Sequence, residues 1–371
     1  MKNLLAGLSV LALSFIMISA VNTGDRSLTE AFVTGNTGIA SVNSISFGPE
    51  GILFVGDSKN AAIYAILTDD NTEVSEATSI RETEFDTKIA AALGTGVENI
   101  RITDMAVNPV SKKVYLSVNV ADGTPVILRW NGESLENISL ANASYSKIEL
   151  DNPVATDFKD RRGRSQRHWA ISDMKYHNGQ ILVSGLSNKE FSSTFRSIPF
   201  PFKSSQDYAS LEIWHAAHGR YETYAPIKTF DIINLEDKDY LIASYTCTPL
   251  VLFPLADLSN GKHLKGRTVA ELGSGNSPLD MISFTREGKQ YFAMSNSNRP
   301  VMRIKYENIA NYKETMTEPV KEWAVATGVA YDNLPMVNVL QLDNLDAKNV
   351  VYLQRTSSGD LVLQSRSTRR M

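Results

Sequence analysis

The chain has 371 residues, a hydrophobic fraction of 43%, a charged fraction of 21% and a formal net charge of −4. This is ordinary globular composition, and it excludes collagen, coiled coil, a disordered chain and a multi-span membrane protein. A mildly acidic chain also lacks the cationic surplus needed to grip nucleic acid, because that affinity comes mostly from neutralising phosphates.

The first twenty residues read as an export signal. Lys2 supplies the positive start, residues 4–18 form an apolar run, and Ala20 ends a small-residue cleavage site. An uncleaved anchor is the rival reading, since residues 4–21 would just span a bilayer. The polar stretch 22–26 that follows at once favours cleavage. The sole cysteine, Cys247, allows no internal disulfide, no cysteine zinc cluster and no haem attachment. An exported chain without disulfides must be held by a sizeable core, which suits a secreted or periplasmic protein. The expected organisation is a signal at 1–20 and a single domain at 21–371, with no membrane span after cleavage.

Along the rest of the chain one unit recurs: strand, tight turn, strand, polar loop, strand. The first unit covers residues 44–47, 52–55 and 61–66, and the second covers 104–109, 114–118 and 125–130. The third covers 173–179, 181–184 and 193–198, and the fourth 230–233, 240–243 and 249–253. The fifth, at 278–284, 290–294 and 301–306, is the clearest, and the sixth covers 337–340, 350–353 and 360–364. Ile45, Met105, Met174, Ile232, Ile282 and Val339 mark the shared phase at intervals of 50 to 69 residues. A short helix is expected at 88–93.

Fourth strands are expected at 146–150, 211–214, 268–272 and 321–325, with a less clear one near 82–85. No stretch follows the sixth unit, but residues 29–33 precede the first. An N-terminal strand would then complete the last sheet and protect its edge. Six four-stranded sheets around an axis make an all-β, six-bladed β-propeller. A seventh blade would need a degenerate unit hidden between Met105 and Met174. The fifth unit, with Pro278 before its inner strand, the Gly288-Lys289 turn, the loop 295–298 and Arg303 in its third strand, resembles the NHL and YVTN class of propeller repeat. That resemblance implies the fold and leaves activity open.

Propeller geometry gathers the inner-strand starts and the second-to-third-strand loops on one face. Asp104, Asp173 and Asp280 stand at inner-strand starts. Three carboxylates brought close need a cation or shifted pKa values, and oxygen ligands suit Ca²⁺. The arrangement is similar to that of calcium-dependent lactonases and gluconolactonases, which implies a metal role for the three. The rival reading makes each Asp a structural cap, and identical placement in a repeat favours it.

His215, His218 and Glu222 follow the fourth strand of the third unit. There His218 would act as base or metal ligand, with Glu222 orienting it or serving as an acid. His215, His218 and Cys247 together would invite copper or zinc. The reading adopted is that Cys247 is a small buried residue and the histidines make ordinary hydrogen bonds. The long loop 151–168 carries Arg162, Arg164, Arg167 and His168, a local basic patch suited to a carboxylate, phosphate or sulfate. Asn296 and Asn298 sit in a loop on the same face. No phosphate-binding glycine loop, nucleophile elbow or HExxH motif is present.

The expectation is therefore a monomeric, exported propeller that binds a small anionic molecule or a protein on its loop face. The alternatives are a calcium-dependent hydrolase of the lactonase type and a periplasmic oxidoreductase with a bound redox cofactor.

Overall fold

Two-residue turns show how local sequence makes the strand pairs. Asn178 and Gly179 have φ of 46° and 79°, and Glu287 and Gly288 have 51° and 74°. Two successive positive φ values make a type I′ turn, whose twist matches the strands it joins, and glycine takes the second position without strain. The flanking pairs His177 with Gln180 and Arg286 with Lys289 close both hairpins.

The computed structural model describes residues 27–322 and 324–371, so the expected export signal lies outside the described residues. Among the described residues no helix is long and apolar enough to cross a membrane. The strands form six sheets arranged as a six-bladed propeller. The six inner strands are Ser44–Phe47, Ile100–Val107, Asp173–His177, Ile227–Leu235, Pro278–Arg286 and Val339–Asp346. The expected helix is present as Phe85–Ala92.

The blades do not follow chain order around the ring. The inner strand of blade one packs against those of blades two and three, and that of blade two also meets blade six. The circular order is therefore two, one, three, four, five, six. The hydrophobic clusters agree: Phe54 of blade one packs with Met174 of blade three. Val55 packs with Tyr115 of blade two, and Leu116 of blade two shares a cluster with Leu353 of blade six. Each seam between blades is one apolar cluster, which is how a ring of half-buried sheets hides its faces.

This order corrects the expected closure. Val33–Gly35 does not join the last sheet. It pairs with Ala143–Glu149 on the edge of blade one. The last sheet is completed by Arg81–Glu82, which pairs with Leu363 and Gln364. Likewise the stretch expected as the outer strand of blade two serves blade one, and blade two uses Leu135–Ile138. Blade five uses Asp332–Asn333, not residues 321–325. The segments entering and leaving blade two thus complete the two blades that flank it. Blade two is clamped into the ring from both sides, and this closes the propeller.

Candidate functional site

The inner-strand starts converge on the axis at the upper face. There each predicted metal ligand bridges blades through backbone amides. Asp104 Oδ1 accepts from Met105 N at 2.8 Å and its Oδ2 from Ile45 N of blade one at 2.8 Å. Asp173 accepts from Met174 N and from Phe230 N of blade four at 2.8 and 2.9 Å. Asp280 accepts from Met281 N and from Leu342 N of blade six, both at 2.7 Å.

The residues at the same level in the other three blades are neutral donors. Ser44 Oγ reaches Asp104 at 3.0 Å, and Thr229 hydrogen-bonds Asp173. The Gln341 amide, oriented to donate, reaches Asp104 at 3.2 Å and Asp280 at 3.0 Å. Acceptor and donor alternate around the axis. Desolvation first, then the charge of Asp173, pushes Asp104 up to about 7. Desolvation raises Asp173 to about 6 and Asp280 well above the usual carboxylate range, the latter helped by Asp104. Every oxygen of these carboxylates already accepts a backbone amide, so the three side chains are committed to bridging blades, whereas a calcium ligand set aims its oxygens at one point. Among the described residues they also form no cluster within reach of a single ion. Below this ring the axial channel widens to about 620 Å³.

The basic loop divides. Arg164 is paired with Asp160, and Asp160 also accepts the amides of Arg162 and Arg164, so this part clips the loop together. Arg167 donates to the carbonyls of Lys59 and Val154, anchoring the loop to blade one. Arg162 is exposed. His168 lines a pocket of about 380 Å³ beside Arg101 and Lys59. Lys228, at the start of the inner strand of blade four, lies over the Trp169 ring at 4.4 Å. Burial, then Arg101, depresses the Lys228 pKa, and Asp173 partly offsets them. Burial, then Lys228 and Arg101, depresses that of His168. The sequence reading missed Arg101 and Lys228. Their signal is position alone: each sits at or beside an inner-strand start.

The structure does not bring Asn296 and Asn298 into this pocket. Asn296 is buried and donates to the carbonyls of Met294 and Pro300, while Asn298 donates to Gly275 O. Both hold the loop of blade five in shape.

The structure does bring His218 and Glu222 together, and it places His215 and Cys247, the other members of the copper or zinc set weighed from the sequence, beside them. His215 ends the outer strand Asp207–His215, which turns back through Arg220–Glu222. Glu222 Oε2 faces His215 Nδ1 at 2.9 Å and its Oε1 faces His218 Nδ1 at 2.7 Å. Burial raises the Glu222 pKa, but the two imidazoles outweigh it and hold it at about 2. Cys247 comes from the loop of blade four and is half-buried, not the core residue expected. Both Cys247 and Thr248 have left-handed φ, 67° and 62°. The His215 ring lowers the Cys247 thiol against burial. Burial lowers His215, but Cys247 and Glu222 lift it to about 9. Nearby Glu271 is pushed up to about 7 by burial.

No family model matches the chain, and no curated protein matches it. Solved structures do align with it over most of its length. A putative oxidoreductase (glucose dehydrogenase) of Thermus thermophilus is 11% identical, covering 90% of this chain and 99% of its own, with a TM-score of 0.33. The PQQ-bound aldose sugar dehydrogenase of Streptomyces coelicolor is 13% identical, covering 90% and 96%, with a TM-score of 0.30. Drosophila plexin A, solved in complex with semaphorin 1b, is 11% identical, covering 91% and 86%, with a TM-score of 0.38. Likeness at this level says nothing of what this chain binds or does.

Proposed function

We propose that the protein is an exported β-propeller that binds a small anionic molecule at the upper mouth of its axis. One observation carries the reading: Arg101 and His168 line one pocket, Lys228 lies over the adjoining Trp169 ring, and, after burial, the charges of Arg101 and Lys228 depress the His168 pKa and that of Arg101 depresses Lys228. Among the described residues neither Arg101 nor Lys228 makes an ion pair. Two like charges, Arg101 and Lys228, held beside a histidine that they help keep neutral raise the folded state's energy, and a bound anion relieves it. The guanidinium of Arg101 would take a carboxylate or phosphate by two parallel hydrogen bonds, and Lys228 would add a point charge near Trp169. The export reading rests on residues 1–20.

Titration calorimetry of the full mature chain with citrate and with inorganic phosphate tests the proposal. Saturable binding is expected, weakened at least about tenfold, or 1.4 kcal/mol, by Lys228→Ala or by Arg101→Ala. Binding that both variants leave unchanged, or no binding of either anion, overturns it.

A further inference from the structure

Both histidines beside Glu222 spend Nδ1 on the same carboxylate, which leaves the opposite nitrogen of each ring uncommitted. His215 is 2% exposed, and its Nε2 is buried with no hydrogen-bond partner among the described residues. An orphaned buried ring nitrogen costs about 1–3 kcal/mol and calls for a reason. The reason lies across from it. One ligand atom each from His215, His218 and Cys247 fall within 4.8 Å of one another, the only such cluster of three or more among the described residues. The two imidazole centroids are 3.8 Å apart, tilted by 36°.

We propose that His215 Nε2, His218 Nε2 and Cys247 Sγ bind one late first-row transition-metal ion, zinc or copper, with Glu222 orienting both imidazoles from behind. A thiolate and two neutral imidazoles select this class and reject calcium and magnesium, which want oxygen. A carboxylate on the far nitrogen of a ligating histidine fixes its tautomer and makes it a better donor. Here one carboxylate does so for two rings. Glu222 is itself held by Arg220 Nε and Tyr224 Oη, both at 3.2 Å. Binding releases to solvent the thiol proton of Cys247 and any proton carried on Nε2 of the two rings, and leaves both imidazoles neutral. His218 is 41% exposed at its side chain, so the ion has a path in.

Three protein ligands leave a fourth position open, the pattern of sites that bind water or substrate. Glu271 lies close enough to His215 to feel its charge. It is fully buried, its Oε1 has no hydrogen-bond partner among the described residues, and its Oε2 accepts from Ala217 N at 3.1 Å. With Ala217 and Ser274 it lines a cavity of about 130 Å³. It lies outside the three-ligand cluster, so it would accept a hydrogen bond from a metal-bound water. The rival use of Cys247, His215 and Glu222 is a nucleophilic triad, but that would leave no task for His218. No residue is shared with the anion pocket, so the two readings stand or fall separately.

Cobalt titration of the metal-stripped full chain is the test. Expected are one equivalent of Co²⁺, tetrahedral visible bands and a near-ultraviolet thiolate-to-cobalt band. Cys247→Ser should lose the thiolate band while circular dichroism stays native. The exposed His218→Ala should weaken binding, and Glu222→Gln should weaken it about 10–100-fold. Zinc or copper should displace the cobalt and shield Cys247 from iodoacetamide. Three results overturn the assignment: no stoichiometric cobalt, cobalt without the thiolate band, or Cys247 alkylation at one rate with and without metal.

Discussion

Asp104 of blade two accepts the backbone amide of Ile45 of blade one at 2.8 Å. A seam between blades is thus held by a side chain, where no sheet ladder runs. Asp104→Ala strands the amides of Ile45 and Met105 in the channel wall. At about 1–3 kcal/mol for each unpaired group, a loss of about 2–4 kcal/mol in urea unfolding is expected. A loss below about 0.5 kcal/mol, the level of an ordinary surface change, would mean the bridge does not hold the seam.

The carboxylates that line the axial channel, Asp343 of blade six among them, set a pH dependence. Asp104 is pushed up to about 7, and Asp173 and Asp343 to about 6, chiefly by desolvation. An acid whose folded pKa lies above its unfolded value binds more protons when folded. Its stabilisation is complete below the unfolded pKa, about 4, and is lost as pH rises through the folded value. Glu222, held at about 2, stays ionised throughout this window and does not oppose the trend. The melting temperature should fall between pH 5 and pH 8, and Asp104→Asn should flatten the slope. A melting temperature that rises over this range contradicts the assignment.

Arg196 lies within blade three, 1% exposed, and neither terminal guanidinium nitrogen has a partner among the described residues. Its guanidinium stacks on the Tyr208 ring at 4.7 Å. Burial depresses its pKa to about 10. Replacing a buried, poorly satisfied charge with an apolar side chain of similar length commonly stabilises by about 1–4 kcal/mol. Arg196→Met should therefore raise the denaturation midpoint. A clear fall would show that the stacking on Tyr208 outweighs the desolvation.

The propeller was legible because strand, turn and strand repeat six times with a readable phase. The closure was not. Arg81–Glu82 is two residues long and carries no alternation, and the sheet it joins depends on where the chain crosses the ring. Residues 146–150 did read as a strand, but nothing local says that they serve blade one instead of blade two. The axial ring followed the same rule. Asp104, Asp173 and Asp280 were visible as a set, while Ser44, Thr229 and Gln341, the neutral donors between them, only make sense once the blade order is known.

The functional side chains divide in the same way. His218 and Glu222 are near neighbours in sequence, and their pairing could be read. His215 and Cys247 meet across a blade seam, through a backbone at Cys247 that leaves the usual strand region. Arg164 and Arg167 looked like ligand-binding cations because charge is visible in a sequence. Their partners, Asp160 and the carbonyls of Lys59 and Val154, are features of the folded loop.

The direct test of the proposed anion pocket is an anomalous-scattering map from crystals soaked in selenate, a heavy mimic of sulfate and phosphate. A selenium peak within hydrogen-bonding reach of Lys228 and Arg101, absent in Lys228→Ala crystals, is the predicted result. Selenate bound only at other sites, with that pocket bare in the native protein, would contradict it.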